Sequence, residues 1–280
     1  MGHPFATRVN NPGSMVLELG TNPQGLLKAV RRDIIGMAAH SSHVATALSC
    51  VEILAALYGG GLRLDGPARD RLIFSKGHGC MALYAVLAHC GFFPREWLDT
   101  YSQNGSPLAE HPMPGRVPGI DFAAGSLGHG LAAAAGWAEA FRLQGAGGRV
   151  FAVLGDGECQ EGAVWEAAAL AAARELGALA AIVDANGLQA CGKCGQIARH
   201  MSLPGVWAAH GWTVEECDGH DVAALRAAFA DAGQGTAPTV FICHTVKGKG
   251  VDFMEGDLEY HYRPIRGKER DEALRRLEDA

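Results

Sequence analysis

The sequence predicts an α/β protein, a doubly wound parallel sheet with helices on both faces. Three observations carry that expectation. Residues 150–154 form an apolar run, 160–176 have helical character, and 179–183 form a second apolar run. Strand, helix and strand at this length make a βαβ unit, and its right-handed crossover brings both strands to end at one sheet edge. The alternation continues elsewhere, with strand-like runs at 71–74 and 239–243 set between helical segments. Hydrophobic residues make up 48% of the 280, so a sizeable core is available.

Taken in order, residues 1–20 lack the apolar core of a signal peptide and are expected to be a disordered leader. Residues 21–262 are expected to form one domain, because no composition shift or repeat divides them. Within it, 25–37 has helical spacing with basic residues on one face, and 49–57 reads as a second helix. His40 and His43 lie near their junction. The strand at 71–74 runs into Ser75-Lys76-Gly77-His78-Gly79, and a helix follows over 81–89. A histidine between two glycines at a strand-to-helix turn has the backbone freedom to point into a cleft. Residues 91–116 are loop-rich and end in His111-Pro112. Gly125-Ser126-Leu127-Gly128-His129-Gly130 leads into an alanine-rich helix at 131–143.

Beyond the central unit, 189–204 is expected to be a loop. Its Cys191 and Cys194 have CxxC spacing, but no second pair is placed to complete a zinc site. A helix over 222–232 and the strand at 239–243 follow. The turn Thr245-Val246-Lys247-Gly248-Lys249-Gly250 carries two lysines, suited to holding phosphate or to solvation. Residues 263–280 read as a charged helix with little core.

In a parallel sheet, ligands bind outside the carboxyl ends of the strands. His78, Asp156, Asn186 and Lys247 each sit just past such an end. Asp156 and Asn186 lie 30 positions apart, yet the βαβ unit brings them together. Two hard oxygen ligands, the glycines of Gly155-Asp156-Gly157 and a helix N-terminus suit a metal ion bridging a diphosphate.

Several function classes are disfavoured. The net charge is −6 and no long basic run occurs, which argues against a nucleic-acid partner. No uninterrupted apolar stretch reaches the ~18–20 residues that span a bilayer. Most of the eight cysteines lie in apolar segments, where free cysteine behaves as a small hydrophobe, so a reducing cytoplasm is expected.

The motifs together resemble the transketolase family of thiamine diphosphate enzymes. Gly155-Asp156-Gly157 with Asn186 is similar to the thiamine diphosphate signature. GDGECQEG at 155–162 followed by Glu166, SKGH at 75–78, His111-Pro112 and GSLGHG at 125–130 occur in the family's order. The resemblance implies that Asp156 and Asn186 ligate Mg²⁺ or Ca²⁺ with their side chains and Leu188 with its carbonyl. It implies cofactor contacts from Gly125, Ser126, Leu127, Gly155, Gly157, Glu158, Lys247 and His261. It implies that His43, His78, His111 and His261 line the reacting centre, where developing alkoxides need proton donors and acceptors. Glu161 and Glu166 are implied at an interface between chains.

The implied reaction moves a two-carbon ketol unit from a ketose or its phosphate to an aldose or its phosphate. The chain resembles only the diphosphate-binding part of the family, like the N-terminal subunit of a split transketolase. A separate partner, carrying the pyrimidine-binding and C-terminal domains, is implied, most simply as an α2β2 assembly. Two departures stand out. Ser42 and Ala45 replace family glycines beside His43, which narrows a substrate channel, and the CxxC replaces commonly polar residues. Two alternative readings remain: the α-subunit of a 2-oxo acid dehydrogenase, and a non-catalytic partner subunit.

Overall fold

The computed structural model describes residues 17–20, 23–199 and 202–279. In chain order these form α1 (Gln24–Met37), α2 (Val44–Ser49), α3 (Val51–Ala56), β1 (Arg71–Phe74), α4 (Cys80–His89), α5 (His129–Gln144), β2 (Val150–Gly155), α6 (Gly162–Ala173) and β3 (Leu179–Ala185). Next come a small hairpin, β4 (Leu188–Gln189) and β5 (Gly192–Lys193), then α7 (Cys194–Ile197), α8 (Leu203–Ala209), β6 (Thr213–Asp218), α9 (Val222–Asp231), β7 (Thr239–His244) and α10 (Gly267–Asp279).

Five strands form one sheet in the order β1-β2-β3-β7-β6, and every pairing is parallel. The chain moves outward from β1 to β3, jumps to the far edge at β6, and returns to β7. Two directions of travel with one crossover hand place helices on opposite faces. Accordingly α6, between β2 and β3, lies on one face, and α9, between β6 and β7, on the other.

Side-chain alternation along the strands divides the core in two. Phe74, Phe151, Val153, Ile182 and Phe241 pack under α1 to α4 and α9. Ile73, Ala152, Leu154, Ala181, Val183 and Ile242 face α5, α6 and α8. The inner strands β2 and β3 are buried on both faces, which explains their unbroken apolar runs. On the second face, Ala134, Ala135 and Ala138 of α5 and Ala167, Ala168 and Ala171 of α6 are buried; such short side chains let helices approach a sheet closely.

Several expected boundaries shift. The helix expected at 49–57 is interrupted at Cys50, which leaves helical geometry (φ −106, ψ 15) and separates α2 from α3. The helix expected at 160–176 begins only at Gly162, because Glu161 is extended (φ −75, ψ 130). The loop expected at 189–204 contains the hairpin and α7. Residues 1–16 of the expected leader lie outside the described residues. Leu17 and Leu19, however, are buried in the first core, and Leu17 N–H donates to the Tyr58 carbonyl at 2.9 Å. Their spacing of two turns both leucines to one side of an extended segment, so the packed structure starts before residue 21. The carboxyl-terminal segment also needs correction. Its helix begins at Gly267, and Ile265, Ala273 and Leu277 are buried in the first core. An apolar stripe at a spacing of four docks an otherwise charged helix beside α1.

Candidate active site

The carboxyl ends of β1, β2, β3 and β7 open onto one cleft of about 260 Å³. The turn after β1 supplies Lys76 and His78, and that after β2 supplies Asp156 to Glu158. Asn186 and Leu188 follow β3, and Lys247 follows β7. His43, His111 and His261 enter from connecting segments and complete the walls. The sheet thus gathers residues spread widely along the sequence.

Asp156 sits at the cleft floor. Its Oδ1 accepts the Gly157 N–H at 2.8 Å, and its Oδ2 accepts the Gly187 N–H at 2.7 Å. Burial and the neighbouring Asp184 push its carboxyl up from the ordinary aspartate value. A cation placed against it would reverse that. Asn186 Oδ1 accepts the Leu188 N–H at 3.1 Å, which fixes which carboxamide atom faces the Leu188 main chain. Beneath them Asp184 is fully buried. It pairs with the Lys76 ammonium and accepts hydrogen bonds from the Ser49 hydroxyl at 2.6 Å, from the Thr245 hydroxyl and from Asn186 Nδ2 at 3.2 Å. Burial alone would raise the Asp184 carboxyl and lower the Lys76 ammonium. Each offsets the other, so the pair stays ionised. Removing one partner from such a pair costs about 3–5 kcal/mol.

Glu158 acts as a bracket. It is buried, and its carboxylate accepts from the Ser75 hydroxyl, the Gly128 N–H at 2.9 Å and the Gly155 N–H at 3.1 Å. It therefore ties the turn after β2 to those at 75–78 and 125–130.

The histidines form an aromatic wall. The rings of His43 and His78, and of His43 and His261, lie 5.3 Å apart, with His78 and His261 stacked at 6.0 Å. His43 holds a left-handed backbone (φ 69), unusual for a residue with a side chain. Its N–H donates to the His261 carbonyl at 3.2 Å, and its Nδ1 lies 2.8 Å from the Ser42 hydroxyl. The serine that replaces a family glycine thus orients the imidazole. Burial and the charges of His111 and Lys247 bring His43 down to about 4, while burial and Lys247 bring His261 to about 3. His78 is lowered too, by burial and Lys76. At neutral pH these rings are uncharged.

Lys247 is buried, with Nζ 2.6 Å from His261 Nδ1 and 3.4 Å from the Leu188 carbonyl. An ammonium only donates, so Nδ1 of His261 accepts and its Nε2 carries the proton. Burial and the Lys76 charge lower Lys247 to about 8.

The donor set fits a metal-bound diphosphate on two observations. Thr46 Oγ1 lines the cleft, is buried and has no hydrogen-bond partner among the described residues, a gap that a ligand oxygen would fill. Lys247 brings to the cavity an ammonium that no carboxylate pairs with among the described residues, a donor suited to an anionic oxygen. Among the described residues no three His, Cys, Asp or Glu side chains are gathered for a metal. The available cation ligands are therefore one carboxylate, one carboxamide oxygen and one carbonyl, all hard oxygens suited to Mg²⁺ or Ca²⁺.

The structure brings nearly all the sequence-derived candidates together. Gly125, Leu127, Gly155, Gly157 and Glu161 also line the cleft, whereas Ser126 and Glu166 do not and are exposed beside it. Of the two lysines in the basic turn, only Lys247 faces the cleft; Lys249 Nζ lies 3.5 Å from Glu255. Thr46, Lys76, Asp184 and Tyr262 were not singled out by the sequence. The Lys76–Asp184 pairing spans 108 positions, so no local signal announces it. All eight cysteines are free. Cys194 lies beside Asp156, and burial pushes its thiol up to about 12, which leaves it a poor nucleophile.

The fold and the cleft define a diphosphate-binding α/β domain. A family model described as transketolase, thiamine diphosphate binding domain, matches residues 25–278. The chain belongs to the transketolase family. It is 39% identical over 260 residues to a protein of Actinobacillus succinogenes named as one of the subunits of an apulose-4-phosphate transketolase, covering 90% of this chain and 94% of that one. It is 41% identical over 225 residues to the 6-deoxy-6-sulfo-D-fructose transketolase subunit SqwG of a Clostridium species, covering 78% and 82%. Among solved structures, transketolase from Pichia stipitis with sedoheptulose 7-phosphate superposes with a TM-score of 0.83 at 26% identity, over 91% of this chain and 40% of that one. Transketolase from Campylobacter jejuni gives 0.80 at 29% identity, over 94% and 43%. The chain thus spans about 40% of the length of these solved transketolases. No helix among the described residues is long and apolar enough to cross a membrane.

Proposed function

We propose that this chain is the N-terminal, cofactor-binding subunit of a split transketolase. It transfers a two-carbon ketol unit from a ketose phosphate, or a similarly anionic ketose, to an aldose or aldose phosphate. One observation carries the reading: the match to proteins named as transketolase subunits extends over most of their length, and the chain has a cleft lined by His78, Asp156, Asn186, Leu188 and Lys247 that supports the diphosphate reading. The partner chain would supply the pyrimidine-binding and C-terminal domains, in an α2β2 assembly with Glu161 and Glu166 at the boundary between chains. Both glutamates are exposed here. The free state of all eight cysteines favours a reducing, cytoplasmic setting.

Each residue then has a task. Asp156, Asn186 and the Leu188 carbonyl hold Mg²⁺ or Ca²⁺. The backbone N–H bonds to Asp156 and Asn186 keep these oxygens aimed, the usual work of outer-shell partners. Lys247 and the Thr46 hydroxyl meet the diphosphate, His78 lies between it and the reacting centre, where it handles a proton, and Gly155 and Gly157 keep the floor clear. Gly125 and Leu127 form the end of the cleft nearest the aminopyrimidine, with Ser126 exposed beside them. When bound, thiamine diphosphate supplies the electron sink that lets the ketose C2–C3 bond break. His43, His111 and His261 serve the sugar oxygens. Being uncharged at neutral pH, His43 keeps a nitrogen lone pair able to take a proton there, and His261 keeps an N–H able to donate a hydrogen bond. His261 presents its Nε2 proton because Lys247 occupies its other nitrogen.

Reconstitution tests the reading. The pure chain should show no ketol transfer from a ketose phosphate. Mixing it with a chain carrying the pyrimidine-binding domain should restore transfer, with thiamine diphosphate and Mg²⁺ required. Turnover by the isolated chain would sink the split-enzyme reading. A complex that binds the cofactor but transfers nothing would favour a non-catalytic role.

A further inference from the structure

Asp218, Gly219, His220 and Asp221 form the turn between β6 and α9, outside the cleft. Three of the four have evident local roles. Asp221 caps α9 by accepting the N–H groups of Ala223 and Ala224, both at 3.0 Å. Asp218 Oδ1 accepts the His220 N–H at 2.8 Å. Gly219 lets the turn press on the end of β7, where a Cβ would collide with Thr245 Cγ2. His220 remains, and both its ring nitrogens are engaged.

His220 Nε2 lies 2.9 Å from the Val246 amide nitrogen. A backbone N–H only donates, so Nε2 is the bare nitrogen. The proton is on Nδ1, which donates to Glu52 Oε2 at 3.0 Å. Glu52 is buried, and its other oxygen accepts from Arg31 Nη2 at 2.5 Å. Arg31 in turn donates through Nε to the Lys249 carbonyl at 3.0 Å. Gly250, at φ +92, packs against the arginine so closely that a Cβ would come within 2.9 Å of Arg31 Cδ. The chain of buried Arg31, buried Glu52 and half-buried His220 therefore grips the backbone at residues 246 and 249. Between them, Gly248 N–H donates to the Ala45 carbonyl at 2.9 Å. The gripped segment carries Lys247, whose side chain reaches into the cleft.

We propose that His220, acting with Glu52 and Arg31, is a positioning residue that sets the 245–250 turn so that the Lys247 ammonium meets an anionic diphosphate. This rests on the reading of the cleft as a diphosphate site. None of the three side chains lines the cleft; they act through the peptide units on either side of Lys247.

The test uses His220→Leu, which removes both ring bonds, and His220→Gln, which can accept from Val246 and donate to Glu52. Amide hydrogen exchange of 246–250 is read on the full-length chain without ligand. Thiamine diphosphate with Mg²⁺ is then titrated into the complex with the pyrimidine-domain chain. His220→Leu should speed exchange at Val246 and weaken cofactor affinity about tenfold, as loss of an outer-shell partner does elsewhere. His220→Gln should restore both. In a Lys247→Met background, His220→Leu should cost no further affinity, since its effect passes through Lys247. Equal losses in both backgrounds would overturn the proposal, as would a glutamine variant that behaves like leucine. If His220→Leu fails to fold, Glu52→Gln serves instead. Its amide must turn an N–H toward one of two donors, so it should reproduce the faster exchange and weaker binding. Absence of cofactor binding in the wild-type complex would refute the diphosphate reading, while the exchange measurement still decides whether His220 anchors the turn.

Discussion

The two edges of the sheet both bury an aspartate among cations, but to opposite ends. At the amino edge Asp70 precedes β1, and Arg149 precedes β2. Asp70 accepts the Arg149 N–H at 2.8 Å and its guanidinium at 2.6 Å, and the Arg63 N–H and guanidinium each at 2.9 Å. Arg149 spends its remaining donors on the carbonyls of Gly61 and Phe229. Both oxygens of Asp70 are thus fully engaged within the protein. At the carboxyl edge Asp184 is closed in the same way, yet Asp156, Lys247 and Thr46 above it surround a cavity. The difference teaches where to look for ligands: a saturated buried charge holds strands together, whereas polar groups arranged around space await a partner.

That contrast can be broken by substitution at either edge. The largest effect is expected from Asp156→Ala, which removes the charged oxygen ligand. Cofactor affinity in the presence of Mg²⁺ should fall about 100-fold or more by calorimetric titration of the complex, with activity falling alongside. Melting of the ligand-free chain should change little, because burial already disfavours this carboxylate. Normal cofactor binding by this variant would show that the cleft has been misassigned.

His78→Ala separates chemistry from holding. Steady-state kinetics on the reconstituted complex should show kcat reduced about 100-fold, within the range for a proton-transferring side chain. The cofactor Kd should move much less. A parallel fall in both would make His78 a binding residue only.

Asp70→Asn tests the amino edge. Thermal or denaturant unfolding should show a loss of about 1–3 kcal/mol, the cost of leaving buried hydrogen-bonding groups poorly matched. Cofactor affinity should be unaffected, and a loss there would erase the distinction between the edges.

The smallest effect concerns pH. Burial raises the Asp70 carboxyl, but the hydrogen bonds from Arg149 and Arg63 more than offset this and hold it below the ordinary aspartate value. A carboxylate with a depressed folded pKa adds stability above its unfolded pKa of about 3.9 and loses it as pH falls through the folded one. The wild-type advantage over Asp70→Asn should therefore be constant near neutrality and shrink below about pH 4. An advantage that persists in acid would mean that shape, rather than charge, holds this edge.

Much of the cleft was legible because strand periodicity and turn chemistry are local. The apolar runs at 150–154 and 179–183 marked two neighbouring strands, and residues shortly past them were the ligand candidates. Lys76 was hidden inside a recognisable SKGH motif, since its partner Asp184 lies in another βαβ unit. Asp184 itself reads as a strand end. Thr46 lies in the short helix α2, and nothing in its sequence neighbours says that its hydroxyl is buried at a cleft wall. The docked ends were also misread: Leu17 and Leu19 are too few to signal a strand, and the apolar stripe of α10 is outnumbered by charge.

The sequence by itself determined the alternation of strands and helices, the parallel sheet, the family and most of the side chains at the carboxyl edge. These follow from periodicities of two and nearly four and from glycine-rich turns, all encoded within short windows. Only the tertiary structure decided which carboxylates are spent on lysines and arginines and which face open space. It also decided that His43, His78 and His261 are uncharged and that the basic turn is held from behind by Arg31, Glu52 and His220. Those properties depend on burial and on partners far apart in the chain, and the folded sheet alone brings them within hydrogen-bonding distance.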